Sequence, residues 1–88
     1  MTHAFYSDAA AKIRTELSRD EQAAVEAVRV SLEDDPSQGR SLPDADPHSE
    51  SYAIELLPED TGGRGISVVY RHSQDLDAVL ILWLIAGP

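Results

Sequence analysis

The chain has 88 residues, no cysteine and a net charge of −9. That length fits one domain, expected to hold together by one apolar core or by a partner because neither disulfides nor thiolate zinc sites can staple it. Seven Lys and Arg against sixteen Asp and Glu argue against a nucleic acid or an anionic membrane as partner, since binding to phosphate rests on clustered cations.

Met1 to Tyr6 reads as a short strand or a loose lead-in. With no basic start followed by an apolar run, no targeting signal and a cytoplasmic location are expected. "SDAAAKIRTEL" (7–17) reads as a helix. Ser7 is placed to cap it, Asp8 suits the positive end of the dipole, and Ala9, Ile13 and Leu17 form an apolar stripe with Ala10 beside it. "SRDE" (18–21) has the form of a capping box. The second helix is expected to run to about Asp34, with Ala24, Val28 and Leu32 as its stripe, widened by Val25 and Ala27. The short break between the helices predicts an antiparallel hairpin, and Asp34-Asp35-Pro36 ends it.

Residues 35–50, with Pro36, Gly39, Pro43 and Pro47, read as a loop pinned by Leu42. Three strands are predicted after it. "SYAIELL" (51–57) puts Tyr52, Ile54 and Leu56 on one face and Ala53, Glu55 and Leu57 on the other. "PEDTGGRG" is a turn with three glycines. "ISVVYR" (66–71) alternates Ile66, Val68 and Tyr70 against Ser67, Val69 and Arg71. "HSQDLD" is the next turn. The last strand has no polar side chain from Ala78 to Ala86, a run of nine residues that is far short of the roughly 20 a membrane helix needs. Regular alternation assigns it the faces Val79, Ile81, Trp83, Ile85 and Leu80, Leu82, Leu84.

The expected architecture is a single α+β domain over residues 1–88: a helix hairpin (7–34), a loop (35–50) and strands (51–86). The hairpin would pack on one face of a three- to four-stranded, mainly antiparallel sheet. Two helices cover one sheet face only. Leu57, Val69, Leu80, Leu82, Trp83 and Leu84 are therefore expected to include an open apolar surface that receives a partner. Either a second copy of the chain or a cognate peptide would fit, and the acidic surface favours a basic partner.

Possible chemistry is sparse. Asp44, Asp46, His48 and Glu50 in "DADPHSE" echo the alternate spacing of a calcium loop but lack its turn glycine and distal acid, so a solvated acidic loop is expected. Ser73, His72 and Asp75 are common turn residues without a nucleophile elbow. No metal and no cofactor is expected. Arg64, Tyr70, Arg71 and His72 form the best basic cluster, readable as a remnant phosphate site. The plainer reading makes Tyr70 core, Arg71 a solvated strand residue, and Arg64 and His72 turn residues.

The order of pieces "HAFY", "SDAAAKIRTEL", "DEQAAVEAVRVSLEDDP", "SQGRSL", "SYAIEL", "GISVVYR" and "AVLILWLIAG" resembles the RelE/ParE superfamily of small bacterial toxins, from Phe5 onward. "VVY" (68–70) is similar to the family's "R-V-x-Y" strand. The resemblance implies an antitoxin-like peptide as partner and either ribosome-dependent mRNA cleavage or, in the ParE branch, inhibition of gyrase. For cleavage it implies an arginine opening that strand and an arginine and tyrosine after the last strand. Ser67 or Ile66 occupies the first position here, and Gly87-Pro88 follow Ala86. The resemblance therefore implies a catalytically impaired, dimeric or antitoxin-bound module that works through protein contacts.

Overall fold

A computed structural model describes residues 2–43 and 49–87. Five strands and three helices follow in the order β1 (His3–Tyr6), α1 (Asp8–Thr15), α2 (Arg19–Asp34), β2 (Arg40–Leu42), β3 (Ser49–Leu56), α3 (Pro58–Thr61), β4 (Ile66–Ser73) and β5 (Ala78–Ala86). The strands form one sheet in the order β1-β5-β4-β3-β2. β1 runs parallel to β5, and the other pairs are antiparallel.

The helix starts are set locally. Ser7 Oγ accepts the Ala10 amide at 3.1 Å and donates to the Leu82 carbonyl at 2.9 Å, so one hydroxyl caps α1 and ties it to β5. At α2 the capping box is complete: Ser18 Oγ accepts the Glu21 amide while Glu21 accepts the Ser18 amide. α1 ends at Thr15, two residues short of the expected Leu17, as the Glu16 amide turns back to the Ile13 carbonyl. Leu17 nevertheless reaches the core, beside Ala10, Val25, Val28 and Leu32. On the sheet these meet Ala4, Tyr52, Ile66, Val68, Tyr70, Val79, Ile81 and Leu84.

The structure corrects the sequence reading in four places. The sheet has five strands and is mixed, with β1 paired to the last strand. A short strand, β2, lies within the expected loop and pairs with β3. "PEDT" is a helical turn, with Gly62 closing it in the left-handed region at φ 71°, where a Cβ is disfavoured. Most consequentially, β5 carries a bulge. Val69 faces Trp83 but Tyr70 faces Ile81, leaving Leu82 as the extra residue. A bulge sets two residues against one and resets the alternation beyond it. Val79, Ile81 and Leu84 therefore point to the helices, while Leu80, Trp83 and Ile85 point away. Leu84, expected on the open face, is 2% exposed and belongs to the core.

The placement of β5 also explains its composition. It lies between β1 and β4, so both its hydrogen-bonding edges are occupied. α1 and α2 cover one of its faces.

Candidate functional site

The sheet face opposite the helices carries the candidate site. Its centre is a stripe along β5, with Leu80 41%, Trp83 52% and Ile85 58% exposed, extended onto β1 by Phe5 at 56%. The register places Phe5 beside Leu80 and Trp83 beside Val69. Such a run of apolar side chains on one open face is characteristic of a contact surface. Leu82 is half-buried at the bulge, and Leu57, though exposed, stands at the end of β3 next to α3. Phe5 and Ile85 were not among the expected contact residues. Phe5 was hidden because β1 was not expected beside β5, and Ile85 because regular alternation turns it inward.

A polar strip borders the stripe. Ser67 donates to Glu55 Oε2 at 2.7 Å, and Arg40 donates to Glu55 Oε1 at 3.3 Å. These bonds hold the Glu55 carboxyl below its ordinary pKa, the Ser67 bond first and the Arg40 bond next. Glu55 is therefore an anion on this face at neutral pH.

The basic cluster does not assemble. Tyr70 is fully buried, stacks on Tyr52 with ring centroids 5.3 Å apart, and accepts the Gly39 amide at 3.0 Å. Burial raises its phenol above the ordinary value. Tyr52, bonded to Glu50, and Tyr6, half-buried and bonded to Glu26, are both pushed up to about 12. None of the three tyrosines can serve as a base near neutrality. His72 shares Tyr70's side of β4 while Arg71 points to the other side. Arg64 lies before the strand, roughly 25 Å of extended chain from His72.

Arg64 has a structural task instead. Its backbone amide and its Nε each donate to Glu21 Oε2 at 3.1 Å, and Glu21 is almost fully buried. One carboxylate thus completes the α2 capping box and anchors the loop before β4. The Arg64 side chain chiefly, with the Ser18 and Arg64 amides, lowers Glu21 to about 2. A carboxyl depressed on folding stabilises above its ordinary pKa, and that contribution fades as pH falls from about 4.5 toward 2. Glu26, also near 2 because of Arg29, adds to the same trend. Glu21→Gln is expected to lower thermal stability at neutral pH and to flatten, without abolishing, its fall between about pH 5 and pH 2. Melting temperatures of both proteins across that window check this; parallel curves would refute it.

Asp44, Asp46 and His48 lie outside the described residues. Glu50 is on β3 and accepts from the Tyr52 hydroxyl and from Gln74. Ser73 Oγ accepts the Leu76 amide and so shapes the β4–β5 turn. Among the described residues, no group of three or more His, Asp or Glu is placed to hold a metal ion. Nor is any helix among them long and apolar enough to cross a membrane.

No protein-family model matches the chain, and no curated protein matches it. Solved structures do. A chain of the intact E. coli RelBE toxin–antitoxin complex superposes with a TM-score of 0.73 at 15% identity, covering all of this chain and 99% of the other. The isolated E. coli RelE toxin superposes with a TM-score of 0.75, also at 15% identity, covering all of this chain and 86% of the other. The chain has a RelE-like fold.

Proposed function

We propose that this chain is a cytoplasmic toxin-fold binding module with little or no nuclease activity, which acts by holding an antitoxin-like polypeptide on its outer sheet face. The exposed stripe of Phe5, Leu80, Trp83 and Ile85 carries the reading. One of the similar structures is a toxin–antitoxin complex, which supports a polypeptide as the occupant. The net charge of −9 and the Glu55 carboxylate beside the stripe favour a cationic, amphipathic segment over a second copy of the chain. Two copies would bring like charges together.

Weak or absent cleavage fits the scattered basic residues. Stabilising charge on a phosphate in transition requires donors aimed at one point. Here Arg64 is committed to Glu21, Tyr70 is buried, and the sheet separates Arg71 from His72.

Trp83 is the only tryptophan and stands in the stripe, so its emission reports occupancy directly. A lysine- and leucine-rich amphipathic helical peptide of roughly five turns is expected to shift that emission to the blue. A glutamate-for-lysine version is expected to leave it unchanged. Leu80→Asp should weaken binding roughly 30-fold or more, as loss of a central anchor does. Equal response to both peptides would sink the reading. Growth arrest on induced expression that Arg71→Ala or His72→Ala abolishes would replace it with the mRNA endonuclease, and arrest indifferent to both would favour a gyrase-directed toxin. Arg64→Ala is unsuitable as a control because it also removes the Glu21 partner.

A further inference from the structure

β1 is an edge strand, and an edge strand presents unpaired amides and carbonyls that another strand can join. Its odd residues face β5: the His3 amide donates to the Asp77 carbonyl at 3.2 Å and the Ser7 amide to the Ile81 carbonyl at 2.8 Å. Backbone direction alternates along a strand, so the amide and carbonyl of Ala4 point outward. Both are occupied by one helix. Glu33 accepts the Ala4 amide at 3.2 Å, and Arg29 Nη1 donates to the Ala4 carbonyl at 3.1 Å. The two side chains sit one turn apart on α2 and lie 3.6 Å from each other. Arg29 is steadied further by Glu26, at 2.7 Å, which in turn accepts from the Tyr6 hydroxyl at 2.8 Å.

We propose that the Arg29–Glu33 pair is an edge guard: its carboxylate and guanidinium stand in for the carbonyl and amide of a sixth strand, and so keep β1 from pairing with β1 of a second copy. The guard lies on the helix side of the edge, apart from the β5 stripe, and does not depend on which partner the stripe receives. Ala4 is the one buried residue of β1, which fits an edge that is covered. Two ordinary surface charges would gain little from such a geometry. Hydrogen bonds from charged groups to backbone are stronger, and these two close the outward-facing peptide groups of Ala4, while those of Tyr6 lie at the strand's end.

Glu33→Ala removes the acceptor, and Arg29→Met/Glu33→Ala removes both partners. In roughly 0.3 M salt, where repulsion between acidic copies is screened, the wild type is expected to sediment as a monomer. The double variant is expected to dimerise with rising concentration. In dilute solution the Ala4 amide of Glu33→Ala should exchange roughly tenfold faster than in the wild type, while the Ser7 amide keeps its rate. Glu33→Gln, which retains an acceptor, should resemble the wild type. Unchanged Ala4 exchange in Glu33→Ala would overturn the proposal. So would a folded double variant that remains monomeric at millimolar concentration. If the double variant does not fold, the same exchange and sedimentation measurements on Glu33→Ala decide.

Discussion

Leu84→Asp is expected to unfold the protein, while Ile85→Asp one residue later leaves it folded. The side chain of Leu84 is 2% exposed and faces the helices, opposite Val68 across the β4–β5 pair. An unpaired carboxylate there costs several kcal/mol in lost hydration, added to about 2–5 kcal/mol for the missing leucine contacts. A domain of this length has only about 4–13 kcal/mol in total. Ile85 lies opposite Ser67 on the outer face. Aspartate there stays hydrated and costs about 1 kcal/mol or less, chiefly through weaker fit to a strand. Urea unfolding followed by far-ultraviolet circular dichroism measures both. The opposite ranking would mean that β5 alternates regularly and that no bulge stands at Leu82.

Tyr70→Ala should destabilise by about 3–5 kcal/mol, as truncation of a buried aromatic does. Tyr70→Phe should still cost about 1 kcal/mol, because it takes the acceptor from the half-buried Gly39 amide. The phenol does more than fill space. It anchors the turn between α2 and β2, and the chain passes so close that a Cβ on Gly39 would stand 2.8 Å from the Tyr70 oxygen. A residue retained for catalysis would behave differently, with phenylalanine leaving stability untouched. Equal urea midpoints for Tyr70→Phe and the wild type would refute the structural role of the hydroxyl. Faster exchange of the Gly39 amide in the variant is the local signature of the structural role.

These two substitutions also mark where sequence reasoning succeeded and where it failed. The inward set on β4, Ile66, Val68 and Tyr70, follows from simple alternation, because β4 has no irregularity of its own. The same rule applied to β5 fails after Ile81. Nothing in "LILWLI" distinguishes the bulged leucine from its neighbours, since all are apolar and any could face either way. The bulge is visible only in the pairing with β4, beside the point where the Ser7 hydroxyl at the start of α1 donates to the Leu82 carbonyl. Trp83 was named as a contact residue on the sequence, but alternation had set it on the face opposite Leu80. The bulge brings the two onto one side.

The basic candidates show the same limit. Tyr70, Arg71 and His72 are consecutive, with Arg64 in the turn before their strand, and that proximity in sequence suggests a cluster. A strand separates neighbours by turning successive side chains to opposite faces. Tertiary contacts then decide each role. Glu21, 43 positions away, claims Arg64. Gly39, 31 positions away, claims Tyr70. Neither partner carries a local signal.

By itself the sequence determined the helix starts at Ser7 and Ser18, the apolar stripes, and the order of the two longer helices and three longer strands. Each depends on groups within a few residues of one another, through capping bonds and periodicity. Only the tertiary structure decided the parallel pairing of β1 with β5, the short strand β2, the bulge and hence the composition of the open face, and the covering of β1 by Arg29 and Glu33. Each of these joins segments far apart in the chain. Their register depends on how whole surfaces fit, a property that no short window of residues contains.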